Sequence, residues 1–238
     1  MADMQEALAT LTKDLTAALG DGLVSLMLYG SAARGAASPR YSDVNVLIVL
    51  RDASAQTLHR AAPALATWRK AGHAAPLIQT EPEWAASADV FPMEIEDIRD
   101  GHRLLAGRDV VSGLATDRAD VRAELEREAR GKLIRLRAEY TARAGNGKAL
   151  GELLAHATGT FLTFFRSALR LAGQAVPASA EDLVRTAAGR AGFDAAAFDW
   201  PLAERRGAKP TALRPYDPVA SAYLAAAERF VSYVNDLE

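Results

Sequence analysis

Apolar positions recur along this chain with two different periods, and the switches between them outline its elements. Met4, Leu8, Leu11, Leu15 and Leu19 fall at three- and four-residue intervals, which places them on one face of a helix. Asp21-Gly22 closes that helix and Leu23–Tyr29 reads as a strand. Val44–Leu50 is an almost unbroken apolar run, as expected of a strand covered on both faces. Residues 55–70 return to helical spacing, with Pro63 either kinking the helix or marking a break. Pro76–Gln79 suggests a short strand, and Glu81-Pro82 opens a brief helix. Phe91–Ile98, reading FPMEIEDI, alternates apolar and acidic residues, which predicts a third main strand with Glu94 and Glu96 on one side.

Beyond Gly107 the period of two disappears. Residues 117–142 and 148–172 form long helical patterns separated by Gly145-Asn146-Gly147. The second carries a broad apolar face that includes Leu150, Leu154, Phe161, Phe164, Phe165 and Leu169, and aromatics at such spacing usually report burial. Helices are also predicted at 180–191 and from about 217 to 236, with a proline-punctuated stretch at 201–218. The expected fold class is α+β: a mixed-sheet domain over 1–113 followed by a helical bundle over 114–238.

Composition narrows the picture. Half of the 238 residues are hydrophobic, enough for a sizeable core. The net charge of −2 argues against a general nucleic-acid-coating or membrane-surface role. With no cysteine, disulfides, thiolate–zinc sites and cysteine nucleophiles are excluded. The amphipathic, charged start MADMQEALATLTKDL lacks the form of a signal peptide, and no apolar run approaches the ~18 residues that span a bilayer. A cytoplasmic protein without membrane contact is the expectation. The four histidines, at 59, 73, 102 and 156, have no ligand-like spacing.

The chemistry concentrates in residues 28–49, LYGSAARGAASPRYSDVNVLIV. Gly30-Ser31 ends the first strand, where backbone N–H groups at a helix start can cradle an anion. Asp43 leads into the next strand, close enough in a hairpin-like unit to hold a cation beside that anion. Gly30-Ser31 followed twelve residues later by Asp43-Val44-Asn45 resembles the nucleotidyltransferase superfamily of DNA polymerase beta and the aminoglycoside nucleotidyltransferases. That pattern reads Gly-Ser, a spacer, then Asp-x-Asp or Asp-x-Glu, with a third carboxylate on a later strand. The resemblance covers about the first half of the chain. It departs at the second acidic position, which is Asn45.

The resemblance implies a nucleoside triphosphate such as ATP as substrate, Mg²⁺ or Mn²⁺ as cofactor, and transfer of a nucleoside monophosphate to a hydroxyl on a small-molecule or protein acceptor seated between the domains. Gly30 and Ser31 would take the phosphates, with Arg34 and then Arg40 as further contacts. Asp43, Asn45 and Glu94 would hold the metal, and Asp43, Glu94 and Glu96 would be the catalytic acids. Family members that pair as dimers make a homodimer an expectation too. The residues leave alternatives open. Asp43 could cap local backbone after Ser42, Asn45 could be a polar strand residue, and Glu94 and Glu96 could form a solvated acidic edge. Arg34 could face solvent. An amide at position 45 lacks the negative charge of a carboxylate, worth on the order of 4 kcal/mol toward each unit charge at ~4 Å and a dielectric of ~20. A catalytically silent nucleotide-binding module, or a partner of a helical toxin, is therefore the competing reading. The run 127–148 has seven Lys or Arg against two Glu, and Lys132 or Arg135 could serve an anionic ligand if not simply solvated. An acidic strand at 94–100 would suit a polycationic acceptor.

Overall fold

The strands assemble into one four-stranded sheet. β1 (Leu23–Tyr29) lies between β2 (Asn45–Leu50) and β4 (His102–Gly107), antiparallel to both, and β3 (Leu77–Thr80) adds to β2 in parallel. The sheet is thus mixed. In this computed structural model the described residues are 2–36, 38, 40–41 and 43–237. Two compact units divide them: Met1–Ala37 with Ser42–Thr116, and Ser38–Tyr41 with Asp117–Glu238.

In the first unit, both faces of the sheet are covered. On one, Leu26, Leu28, Val46, Ile48 and Leu50 pack against Leu8, Leu11, Leu15 and Leu19 of α1 (Ala2–Leu19) and against Ala61, Ala64 and Trp68 of α2 (Ala55–Lys70). α2 continues past Pro63. On the other, Val24, Met27, Leu47 and Val49 meet Trp84 of α3 (Glu81–Ala85), Ile95 and Ile98 of α4 (Pro92–Asp100), and Val111. This double cover explains why β2 reads as an almost continuous apolar run and β1 as a largely apolar one.

The expected strand over 91–98 is instead α4. Pro92 sits in the first turn, where its missing N–H is no loss, and Ile95 and Ile98 supply the buried stripe at a three-residue interval. A helix turns 100° per residue, so Glu94 and Glu96 point to different sides rather than sharing one. The strand of this region comes directly afterwards, as β4, one of the two edges of the sheet.

The second unit is helical: α5 (Arg118–Arg143), α6 (Gly147–Leu171), α7 (Ala180–Ala191), α8 (Asp199–Arg205) and α9 (Pro218–Asn235). Its core is aromatic. Phe161 has the rings of Phe164, Phe165, Phe198, Tyr223 and Phe230 within 6.3 Å. Among the described residues, no helix is long and apolar enough to cross a membrane.

The short segment 38–41 is built into this helical unit. Ser38 Oγ donates to the Arg205 carbonyl (2.5 Å), Tyr41 Oη to Glu204 (2.9 Å), and Arg40 pairs with Glu152 at 3.0 Å and Glu204 at 3.5 Å.

Candidate active site

β1 delivers Tyr29 and Gly30 to one end of the sheet. Asn45, the first residue of β2, stands directly opposite Tyr29. Gly30 has φ +75°, a left-handed conformation that side-chain-bearing residues rarely adopt, and a Cβ there would also lie 3.2 Å from the Asn45 amide nitrogen. Residues 30–35 then fold as a run of turns, not the expected helix start. Arg34 N–H donates to the Gly30 carbonyl (3.2 Å), Gly35 N–H to Ala32 (3.3 Å) and Ala36 N–H to Ser31 (2.9 Å). Ser31, Ala32 and Ala33 donate in none of these bonds.

Asp43 is exposed and Asn45 half-buried at the same sheet end. Asn45 alternates with Leu47 and Val49, so it belongs to the face covered by α4. From α4, Glu94 reaches that end, where it accepts a hydrogen bond from Tyr29 Oη at 3.1 Å. Surrounding protein withdraws water from the Glu94 carboxyl and pushes its pKa up; the Tyr29 hydrogen bond opposes this and the nearby Asp97 charge adds to it. The residue keeps an exposed flank, which limits the shift. Tyr29 is pushed up as well, by burial first and then by Glu94.

The other candidates have partners of their own. Glu96 accepts from Thr116 Oγ1 (3.1 Å) and pairs with Arg99 (3.6 Å), tying α4 to the segment before α5. Arg34 is mostly shielded from solvent, and its guanidinium pairs with Asp97 at 3.0 Å. Arg40 is engaged by Glu152 and Glu204 of the helical unit. The acidic strand expected for a polycationic acceptor does not exist. Its residues lie on a helix, with Glu96 and Asp97 held by cations. β3, the strand beside β2, carries no carboxylate in Leu77–Thr80. On α5, Arg122, Arg127, Arg130, Arg137 and Arg143 each pair with a glutamate. Half-buried Lys132 is drawn below its ordinary pKa, by burial and then by the Arg135 charge. Ser42 lies outside the described residues, so a cap by Asp43 following it has no geometry to report.

Sequence reasoning missed Tyr29 and Asp97. Tyr29 had a signal: it puts a polar tip at the very end of a mostly apolar strand, immediately before Gly30. Asp97 had none while the segment read as a strand.

Among solved structures, the chain is similar to the spectinomycin adenyltransferase AAD(9) from Enterococcus faecialis, determined with ATP and spectinomycin. The match has a TM-score of 0.58 at 12% identity and covers 95% of this chain and 98% of that one. The fold is nucleotidyltransferase-like. No protein-family model matches the chain, and comparison with characterised protein sequences finds no match. At 12% identity the likeness speaks for the nucleotidyltransferase-like fold alone. It spans nearly the whole of both chains, helical part included.

The oxygen donors at the sheet end are Asp43, Asn45 and Glu94. Among the described residues no group of three or more His, Cys, Asp or Glu side chains is placed to hold a metal ion. Two carboxylates and an amide suit magnesium, which binds through one or two carboxylates plus substrate phosphates and seldom in an all-protein cage.

Proposed function

We propose that this protein is a nucleotidyltransferase that moves a nucleoside monophosphate from a triphosphate such as ATP to a hydroxyl of a small acceptor, with Mg²⁺ or Mn²⁺. The observation that carries this reading is the gathering of the Gly30-Ser31 turn, Asp43 and Glu94 at one end of the sheet, in a fold shared with an adenyltransferase. The turn's N–H groups and the Ser31 hydroxyl receive the β- and γ-phosphates. Asp43 and the Asn45 amide oxygen are the protein donors to a divalent ion that arrives with the nucleotide. That ion supplies Lewis-acid polarisation of the phosphoryl oxygens. Glu94 accepts the acceptor's hydroxyl proton; the new O–P bond forms at the α-phosphorus as the bond to pyrophosphate breaks. A carboxyl whose pKa is raised is better matched to proton transfer near neutral pH than an ordinary one. Glu96 is a structural tie in this reading, not a catalytic acid.

The test is incubation with ATP, GTP, CTP and UTP, with Mg²⁺ or Mn²⁺ and a panel of hydroxyl-bearing acceptors that includes aminocyclitols such as spectinomycin. Metal-dependent release of pyrophosphate with labelling of an acceptor is expected. Nucleotide binding without turnover under every combination would leave the second reading, a silent nucleotide-binding module.

Asn45 motivates that second reading. Asn45→Asp separates the two: a silent site gains metal affinity, whereas an enzyme adapted to the amide changes little or loses turnover.

A further inference from the structure

The segment that carries Gly30 and Ser31 is bracketed by Tyr29 and Arg34, and both of these side chains reach the same helix, α4. Tyr29 donates to Glu94 in its first turn. Arg34 goes to its other end, donating from one guanidinium nitrogen to the Asp97 carboxylate (3.0 Å) and from the other to the Asp97 carbonyl (3.2 Å). That carbonyl is among the last four of α4, which have no partner within the helix, and a cation there also meets the negative end of the helix dipole. The neighbouring Ile98 carbonyl is taken by Gly101 N–H (3.1 Å) and contacts His102 Nδ1 (2.9 Å). The pair is well shielded, with side chains 21% and 12% exposed. Gly101 makes room for it: a Cβ at that position would lie 2.6 Å from Arg34 Cγ.

We infer that Arg34 is a positioning residue, not a phosphate ligand: with Asp97 it braces the Gly30–Gly35 turn against α4, so the anion cradle and Glu94 are held as one rigid assembly. The role in catalysis rests on the nucleotidyl-transfer reading; the brace itself does not. A planar guanidinium satisfied on two sides by Asp97 has its fork committed within the protein. Lysine, with a single nitrogen, cannot reproduce the planar two-nitrogen fork that meets these two oxygens.

Amide hydrogen exchange of residues 31–36 in the whole protein tests the brace without any ligand. Arg34→Ala and Asp97→Ala are each expected to speed exchange by about tenfold or more, and the double variant no further than the faster single one. Gly101→Ala, which keeps both charges but crowds the Arg34 stem, should reproduce the effect and guards against a global loss of α4 in the Asp97 variant. In parallel, all three variants should weaken Mg·ATP binding together, and Arg34→Lys should not rescue it. Unchanged exchange in Asp97→Ala and Gly101→Ala, with binding lost only in Arg34→Ala, would overturn the inference and make Arg34 a direct ligand. If the wild-type protein binds no nucleotide while the exchange coupling holds, the brace stands and the nucleotidyl-transfer reading alone falls.

Discussion

The two faces of the sheet are built from the same strands but finish differently. On the face covered by α1 and α2, apolar residues run out to Leu28 and Val46, and the covering helices contribute Leu, Ala and Trp. On the face covered by α3 and α4, the strands finish in Tyr29 and Asn45, and the covering helix brings Glu94 to Tyr29 and Asp97 to Arg34. One face is packing from end to end, while the other gives up packing at its last position to assemble polar groups at half-buried depth. A binding site is most economically placed where a sheet face is allowed to be imperfect at one end.

Four substitutions sharpen that contrast. Asp43→Ala should lower turnover on the order of a thousandfold, the size of a lost metal contact at a reacting phosphoryl group, with little change in melting temperature because Asp43 is exposed. Equal losses in stability and activity would remove Asp43 from the site. Leu28→Ala, on the packing face and 1% exposed, should do the reverse. It should cost about 2–5 kcal/mol in urea unfolding while leaving nucleotide affinity of the folded protein within a few-fold.

Tyr29→Phe is the finer probe. Glu94 can accept a proton only when ionised, and its raised pKa means that activity is lost as pH falls through a value above the ordinary carboxylate range. The Tyr29 hydrogen bond lowers that pKa, so removing the hydroxyl should move the acid limb of the pH–rate profile upward and reduce neutral-pH turnover by up to about tenfold. A limb that stays in place would mean that the proton goes elsewhere.

The smallest effect belongs to Ser112→Ala, just beyond β4. The Asp109 carboxyl is held down to about 2, by the Ser112 hydroxyl first, with burial opposing and the Val111 and Ser112 N–H groups and His102 assisting. A depressed carboxyl stabilises above its unfolded pKa, and this is lost as pH falls through about 2. The variant should therefore melt slightly below wild type at pH 6 and coincide with it near pH 2.

The long, strongly patterned elements were legible from sequence: the amphipathic helices, and the two central strands whose burial on both faces makes them largely apolar runs. The turn at Gly30-Ser31 and the strand that begins just after Asp43 could be read from spacing because both are local events. What escaped lies at the margins of the sheet. FPMEIEDI imitates a strand because Pro92 breaks the start of the helical period and acids fall between Met93, Ile95 and Ile98. Pro92 at a helix start, with Arg99 and Gly101 at its end, was the competing signal. β4 was hidden for the opposite reason: an edge strand pairs on one side only, so residues such as Leu104 stay exposed and no clear alternation develops. The Arg34–Asp97 and Tyr29–Glu94 pairs join residues more than sixty positions apart and have no local signature. Asn45 was visible as a departure, but spacing does not show that Gly30 sits against its amide.

The stitching of Ser38–Tyr41 into the helical unit has a practical corollary. A protein cut at residue 117 is not separated into two finished pieces, because Ser38, Arg40 and Tyr41 of the upstream fragment carry the hydroxyls and guanidinium that Glu152, Glu204 and the Arg205 carbonyl engage. Expressed alone, the downstream half would lose these partners of Glu152 on α6 and Glu204 on α8, contacts that a synthetic Ser-Pro-Arg-Tyr peptide could restore.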